Sequence, residues 1–115
     1  MTETKAPPSV LRVSTLEFPD TVISSPLPVV VDFHAAWCGP CAQLAPVLEE
    51  LAEEFTGRLA FVKVDVDAEP ALAKSFGIRS LPSLIFYQGG HPRELIAGMK
   101  GKADLRRWIE GHLAG

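Results

Sequence analysis

The chain has 115 residues, 47% of them hydrophobic and 22% charged, with a formal net charge of −3 and two cysteines. Such a length fits one domain that buries roughly two-thirds of its unfolded surface, and the composition excludes a disordered, collagen-like or disulfide-stapled chain. The mild acidity gives no electrostatic footprint for nucleic acid or an anionic membrane, and no apolar run approaches the roughly 20 residues that cross a bilayer.

Residues 1–9 (MTETKAPPS) read as a flexible tail, because prolines and polar side chains there have nothing to bury. The start of the chain lacks the charged and apolar regions of a secretory signal, which points to a cytoplasmic protein. A structural disulfide is not expected in that reducing compartment, so the cysteines need another reason to exist. A single domain is expected over residues 10–115.

Residues 10–14 read as a short strand and 15–25 as a short helix, with Pro19 confined to its first turn. Residues 29–33 (VVVDF) are β-branched and apolar except for Asp32, the pattern of a strand buried on both faces. A helix is predicted over 40–55, where Leu44, Val47, Leu48, Leu51 and Phe55 make one apolar stripe and Gly57 supplies a stop. Pro40 suits its first turn, whereas Pro46 removes a donor from its interior. Glu49, Glu50, Glu53 and Glu54 read as a solvated outer face.

A second strand is predicted over 59–66 and a short helix over 70–76, closed by Gly77. Residues 83–87 (SLIFY), the turn Gln88-Gly89-Gly90 and residues 93–96 read as an antiparallel hairpin. The predicted last helix, 102–113, turns Leu105, Trp108, Ile109 and Leu113 inward. Alternating elements followed by a hairpin predict an α/β fold: a central mixed sheet of about five strands with helices on both faces.

The cysteines, Cys38 and Cys41, enclose Gly39-Pro40 where the buried strand becomes a helix. Free amides and the positive end of the helix dipole stabilise a thiolate there, below the free cysteine pKa of about 8.5, which marks Cys38 as the nucleophile. Residues three apart on a helix have Cβ atoms about 5–6 Å apart, so the pair can close and open with little backbone movement. As a staple, a four-residue loop would contribute only about 2 kcal/mol. Zinc is the rival chemistry: the pair is half a tetrahedral site, and His34 with His91 or His112 would have to complete it.

Trp37-Cys38-Gly39-Pro40-Cys41, with Asp32 before it and Arg79-Ser80-Leu81-Pro82 after it, closely resembles the thioredoxin family over residues 10–113. The resemblance implies a thioredoxin-like fold and a thiol–disulfide oxidoreductase that reduces protein disulfides and contributes to redox homeostasis. It implies that Cys38 is an exposed attacking thiolate, that Cys41 is more buried and resolves the mixed disulfide, and that Asp32 is the general base for Cys41. A carboxylate in so apolar a strand is costly to ionise, which agrees with a raised pKa. Lys63 on the next strand would tune Asp32, or else be an ordinary snorkelling lysine. Pro82 matches the family's cis-proline, and Trp37, Gly39, Pro40, Leu81, Pro82 and Gly98 would form the substrate-binding surface.

The resemblance further implies no bound cofactor and no metal. Reducing equivalents would come from a thioredoxin reductase dependent on NADPH or ferredoxin, the partners would be disulfide-containing proteins, and the chain would act as a monomer. His34 departs from the family pattern, where tryptophan or a small polar residue is usual; Ala36 and Ala42 also depart from it. Period-two alternation puts His34 on the same side as Asp32, either as a packed neutral histidine or as a titrating group that shifts the cysteine pKa values. The competing functional class is an interaction or chaperone subunit on the same fold, for which surface binding matters more than redox turnover.

Overall fold

In the computed structural model, which describes residues 9–115, the elements run β1 (Val10–Arg12), a five-residue π-helix (Pro19–Ile23), β2 (Val29–His34), α1 (Gly39–Glu54), β3 (Ala60–Asp65), α2 (Pro70–Ser75), β4 (Ser83–Gln88), β5 (His91–Ala97) and α3 (Lys102–Ala114). Apart from Ser9, the tail expected over 1–9 lies outside the described residues. The strands form one mixed sheet in the order β1-β3-β2-β4-β5. β3 pairs in parallel with β1 and β2, and β4 pairs antiparallel with β2 and β5.

The apolar run of β2 is continuous because both its faces are covered. Val30 packs with Leu44, Leu48 and Leu51 of α1 and with Leu105 and Ile109 of α3. Val29, Val31 and Phe33 face the other way, against Phe18, Val22 and the α2 residues Leu72 and Ala73. Each such large side chain, fully buried, contributes about 1.5–3 kcal/mol. Gly57 and Gly77 stand at φ +84° and +66° just past α1 and α2, where a left-handed residue lets the chain leave a helix.

Three expectations change. The helix expected over 15–25 shrinks to Pro19–Ile23 with Pro19 in its first turn, because Ser14 and Glu17 exchange side-chain-to-amide bonds of 3.0 and 3.2 Å that hold the chain in a turn before it. β5 starts at His91, not at residue 93: it is an edge strand, where Pro92 costs no ladder bond, and the register shift at Phe86/Tyr87 takes up the irregularity.

The acidic side of α1 is also more than a solvated face. Glu49 accepts the Ser9 and Val10 amides at 2.7 and 3.0 Å, tying down the start of β1. Lys102 lies 2.7 Å from Glu50 and 2.8 Å from Glu54, and Arg106 reaches Glu54 at 2.8 Å, so charge links α3 to α1.

Candidate active site

At the carboxyl end of β2 the chain makes a short loop and enters α1. Cys38 is the N-cap of α1: its backbone is extended (φ −89°, ψ 104°), and its Sγ accepts the Cys41 amide at 3.2 Å, the place usually taken by a side-chain oxygen. The Cys38 carbonyl in turn accepts the Ala42 amide at 3.2 Å. An anion on Cys38 would therefore meet a directed N–H and the positive end of a 16-residue helix. The two cysteines form a disulfide with Cα atoms 5.3 Å apart, inside the ordinary span.

Exposure does not separate the two sulfurs as the resemblance implied. Cys38 is 5% exposed and Cys41 6%, because the bonded pair packs as a unit against Ala35, Val66 and Leu81. What separates them is their surroundings. Cys41 lines a cavity of about 200 Å³ between β2, β3 and the first turns of α1, together with Asp32, His34, Lys63 and Ala42, whereas Cys38 does not.

Asp32 is 6% exposed, and its Oδ1 has no hydrogen-bond partner among the described residues. Burial pushes its pKa from 3.8 up to about 7, against the opposing pull of Lys63, its register partner on β3. His34 is half-buried, but its Nε2 is fully buried and likewise unpartnered. Burial holds the imidazole pKa below its usual value; Asp65 opposes this, while Lys63 and Arg12 reinforce it.

On the other side of the disulfide, Trp37 is 71% exposed and held by a 2.8 Å bond from its Nε1 to Asp67 Oδ2. A second cavity of about 200 Å³ is lined by Trp37, Val66, Ile78, Arg79, Ser80 and Leu81. The Leu81–Pro82 bond is cis, and Gly98, at φ +90°, donates its amide to the Pro82 carbonyl at 2.9 Å. Gly39 and Pro40 are exposed at the start of α1.

The fold thus gathers Asp32, His34, Cys41 and Lys63 around one cavity, and Trp37 and Leu81 around the next. It does not bring in the ligands that zinc would need. His112 lies 2.7 Å from Glu94 and stacks on Phe86, and no group of three or more His, Cys, Asp or Glu side chains among the described residues could hold a metal. Asp67 was not singled out from sequence. It lies 30 residues from the tryptophan it holds, so no local pattern relates them.

The family model that matches is described as thioredoxin and covers residues 9–111. Over 107 residues the chain is 47% identical to a protein named bifunctional thioredoxin reductase/thioredoxin from Mycobacterium leprae, spanning 93% of this chain but only 23% of that relative. It is 46% identical over 99 residues to a thioredoxin of Mycobacterium tuberculosis, covering 86% of this chain and 85% of the relative. It is 40% identical over 102 residues to thioredoxin 1 of a Nostoc species, covering 89% and 95%.

Proposed function

The chain belongs to the thioredoxin family, a family of thiol–disulfide oxidoreductases, and from that premise we propose that it reduces protein disulfides by a two-step exchange with unequal roles for its cysteines. In the first step the Cys38 thiolate attacks a substrate disulfide, forming a mixed disulfide and releasing one substrate thiolate. In the second, Cys41 gives its proton to Asp32 and attacks Cys38 Sγ. The mixed disulfide breaks, the second substrate thiolate leaves with the bonding pair, and the Cys38–Cys41 disulfide remains. Two electrons have then passed from the protein to the substrate.

The observation that carries this assignment is the cavity that Cys41 shares with Asp32. A carboxyl group with a pKa of about 7 is an effective proton acceptor near neutrality, where an ordinary aspartate is too weak a base. Lys63 sets how far that pKa rises. Trp37, Gly39, Pro40, Leu81, Pro82 and Gly98 form the surface on which an extended substrate segment docks, pairing with the Leu81 main chain by strand addition.

No bound cofactor is needed in this cycle. Reducing equivalents come from a thioredoxin reductase, NADPH- or ferredoxin-linked, and the joint name of the Mycobacterium leprae relative supports that pairing. The reductive direction fits a reducing compartment, the cytoplasm, and a monomer suffices because every group invoked lies on one chain. No observation favours a redox-inert interaction subunit.

The test is dithiothreitol-driven insulin reduction. Cys38→Ser abolishes turnover, and Cys41→Ser accumulates a covalent adduct between Cys38 and substrate that mass spectrometry detects. Full activity in Cys38→Ser, or no adduct on Cys38 in Cys41→Ser, overturns the assignment.

A further inference from the structure

Two buried polar atoms without partners among the described residues, Asp32 Oδ1 and His34 Nε2, belong to residues on the wall of the cavity that Cys41 also lines. Unpaired buried polar atoms cost about 1–3 kcal/mol each and usually mark a functional site or bound water. Positions two apart on a strand share a face, yet no direct hydrogen bond joins these two atoms. A cavity of about 200 Å³ has room for water, which takes about 30 Å³ per molecule, to bridge two such polar walls.

Resting on the reading that Asp32 deprotonates Cys41, we propose that His34 is the proton-exchange partner of Asp32. Through cavity water its Nε2 takes the proton that Asp32 has removed from Cys41, and the other ring nitrogen releases that proton to solvent. His34 is a positioning residue in this scheme, since it acts on the sulfurs only through Asp32. The balance is complete. The Cys41 proton passes to Asp32, then to His34, then to bulk water, while the sulfur electron pair forms the Cys41–Cys38 bond and the departing substrate thiolate is protonated by solvent.

The surroundings suit the role. Asp32 is 6% exposed, whereas His34, which lines the same cavity, is only half-buried. Burial keeps the imidazole neutral near pH 7, so Nε2 is free to accept. The charged groups around it are otherwise engaged or repulsive to an added proton. Asp65, its register partner, accepts the Asp67 and Ala68 amides on Oδ1 at 2.9 and 3.3 Å, and its Oδ2 lies 3.6 Å from Arg12. Lys63 and Arg12 disfavour a lasting imidazolium, and α1 presents only Cys41 and the alanines Ala42 and Ala45 to the cavity. A proton that arrives at His34 therefore leaves quickly.

The test follows the reduced full chain reacting with 5,5′-dithiobis(2-nitrobenzoate) in a stopped-flow instrument. Attack by Cys38 releases the first thionitrobenzoate and attack by Cys41 the second. His34→Ala and His34→Asn are expected to slow the second phase several-fold between about pH 6 and pH 8, leave the first phase and the thermal midpoint unchanged, and regain the second phase when imidazole is added to the Ala variant. A full-rate second phase in His34→Asn, or a slow one in His34→Ala that imidazole does not restore, overturns the relay. Asp32→Asn separates the two readings: if it slows the second phase while the His34 variants do not, only the relay fails; if it leaves that phase unchanged, the general-base role fails first.

Discussion

Asp32 and Lys63 are register partners across the β2–β3 ladder, yet Asp32 Oδ1 has no hydrogen-bond partner among the described residues and its carboxyl is pushed up to about 7. Burial thus outweighs the attraction of the ammonium group opposite. A buried carboxylate with a close, fully paired cation would titrate well below its ordinary value. Lys63 acts here as a brake on the rise, not as a partner that cancels it.

Replacing Lys63 with Met removes that brake. The Asp32 pKa is expected to climb above about 7, so the ionised base forms only at higher pH. The rising limb of the pH profile for insulin reduction should move to higher pH, with the plateau reached late. Asp32→Asn should lose that limb altogether. A Lys63→Met profile superimposable on the parent's would show that Lys63 does not act on this carboxyl.

Stability should carry the same signature. The folded pKa of Asp32 is raised, so the folded state holds a proton that the unfolded chain gives up above 3.8. The associated stability is fully present below 3.8 and is lost as pH rises toward about 7. That gap corresponds to about 4 kcal/mol, a burden that Asn at this position does not carry. Urea unfolding of the disulfide form should find Asp32→Asn more stable than the parent at pH 8, with the difference shrinking toward pH 4. A difference that does not vary with pH contradicts the assignment.

Trp37 is 71% exposed and depends on Asp67 for its position. Asp67→Ala should free the indole at a cost to stability of about 1 kcal/mol or less, as for one solvent-exposed hydrogen bond. The effect should fall on KM for insulin more than on kcat, because the surface is disordered while the sulfurs are untouched. Equal losses in both constants, or none, argue against a docking role for Trp37.

Away from the site, Phe86 is fully buried, edge-on to Trp108 and stacked on His112 with ring centroids 4.4 Å apart. Phe86→Ala should cost about 3–5 kcal/mol in urea unfolding and leave the alkylation rate of Cys38 unchanged. An altered Cys38 rate would mean that the α3 face of the core reaches the active site.

Much of this protein is legible in sequence because its signals are local. The β-branched run of β2, the apolar stripe of α1 and the Gly-Gly turn before β5 each follow from the period of the element or the chemistry of a turn. The Cys-Gly-Pro-Cys spacing likewise announces reversible disulfide chemistry, since three residues along a helix bring two thiols within bonding reach. Period-two alternation alone places Asp32 and His34 on one face.

Only the tertiary structure decided what that face meets. Lys63 and Asp65 come from a strand about 30 residues away, and Asp67 reaches Trp37 across a separation of 30. The acidic side of α1, which reads as solvent-facing, is claimed by Lys102 and Arg106 some 50 residues later. The pKa of Asp32 depends on water excluded by several segments at once, and the difference between Cys38 and Cys41 lies in which of them opens onto the Asp32 cavity. A sequence specifies spacing along one chain; burial, and with it the ionisation of Asp32, exists only when distant segments close around the site.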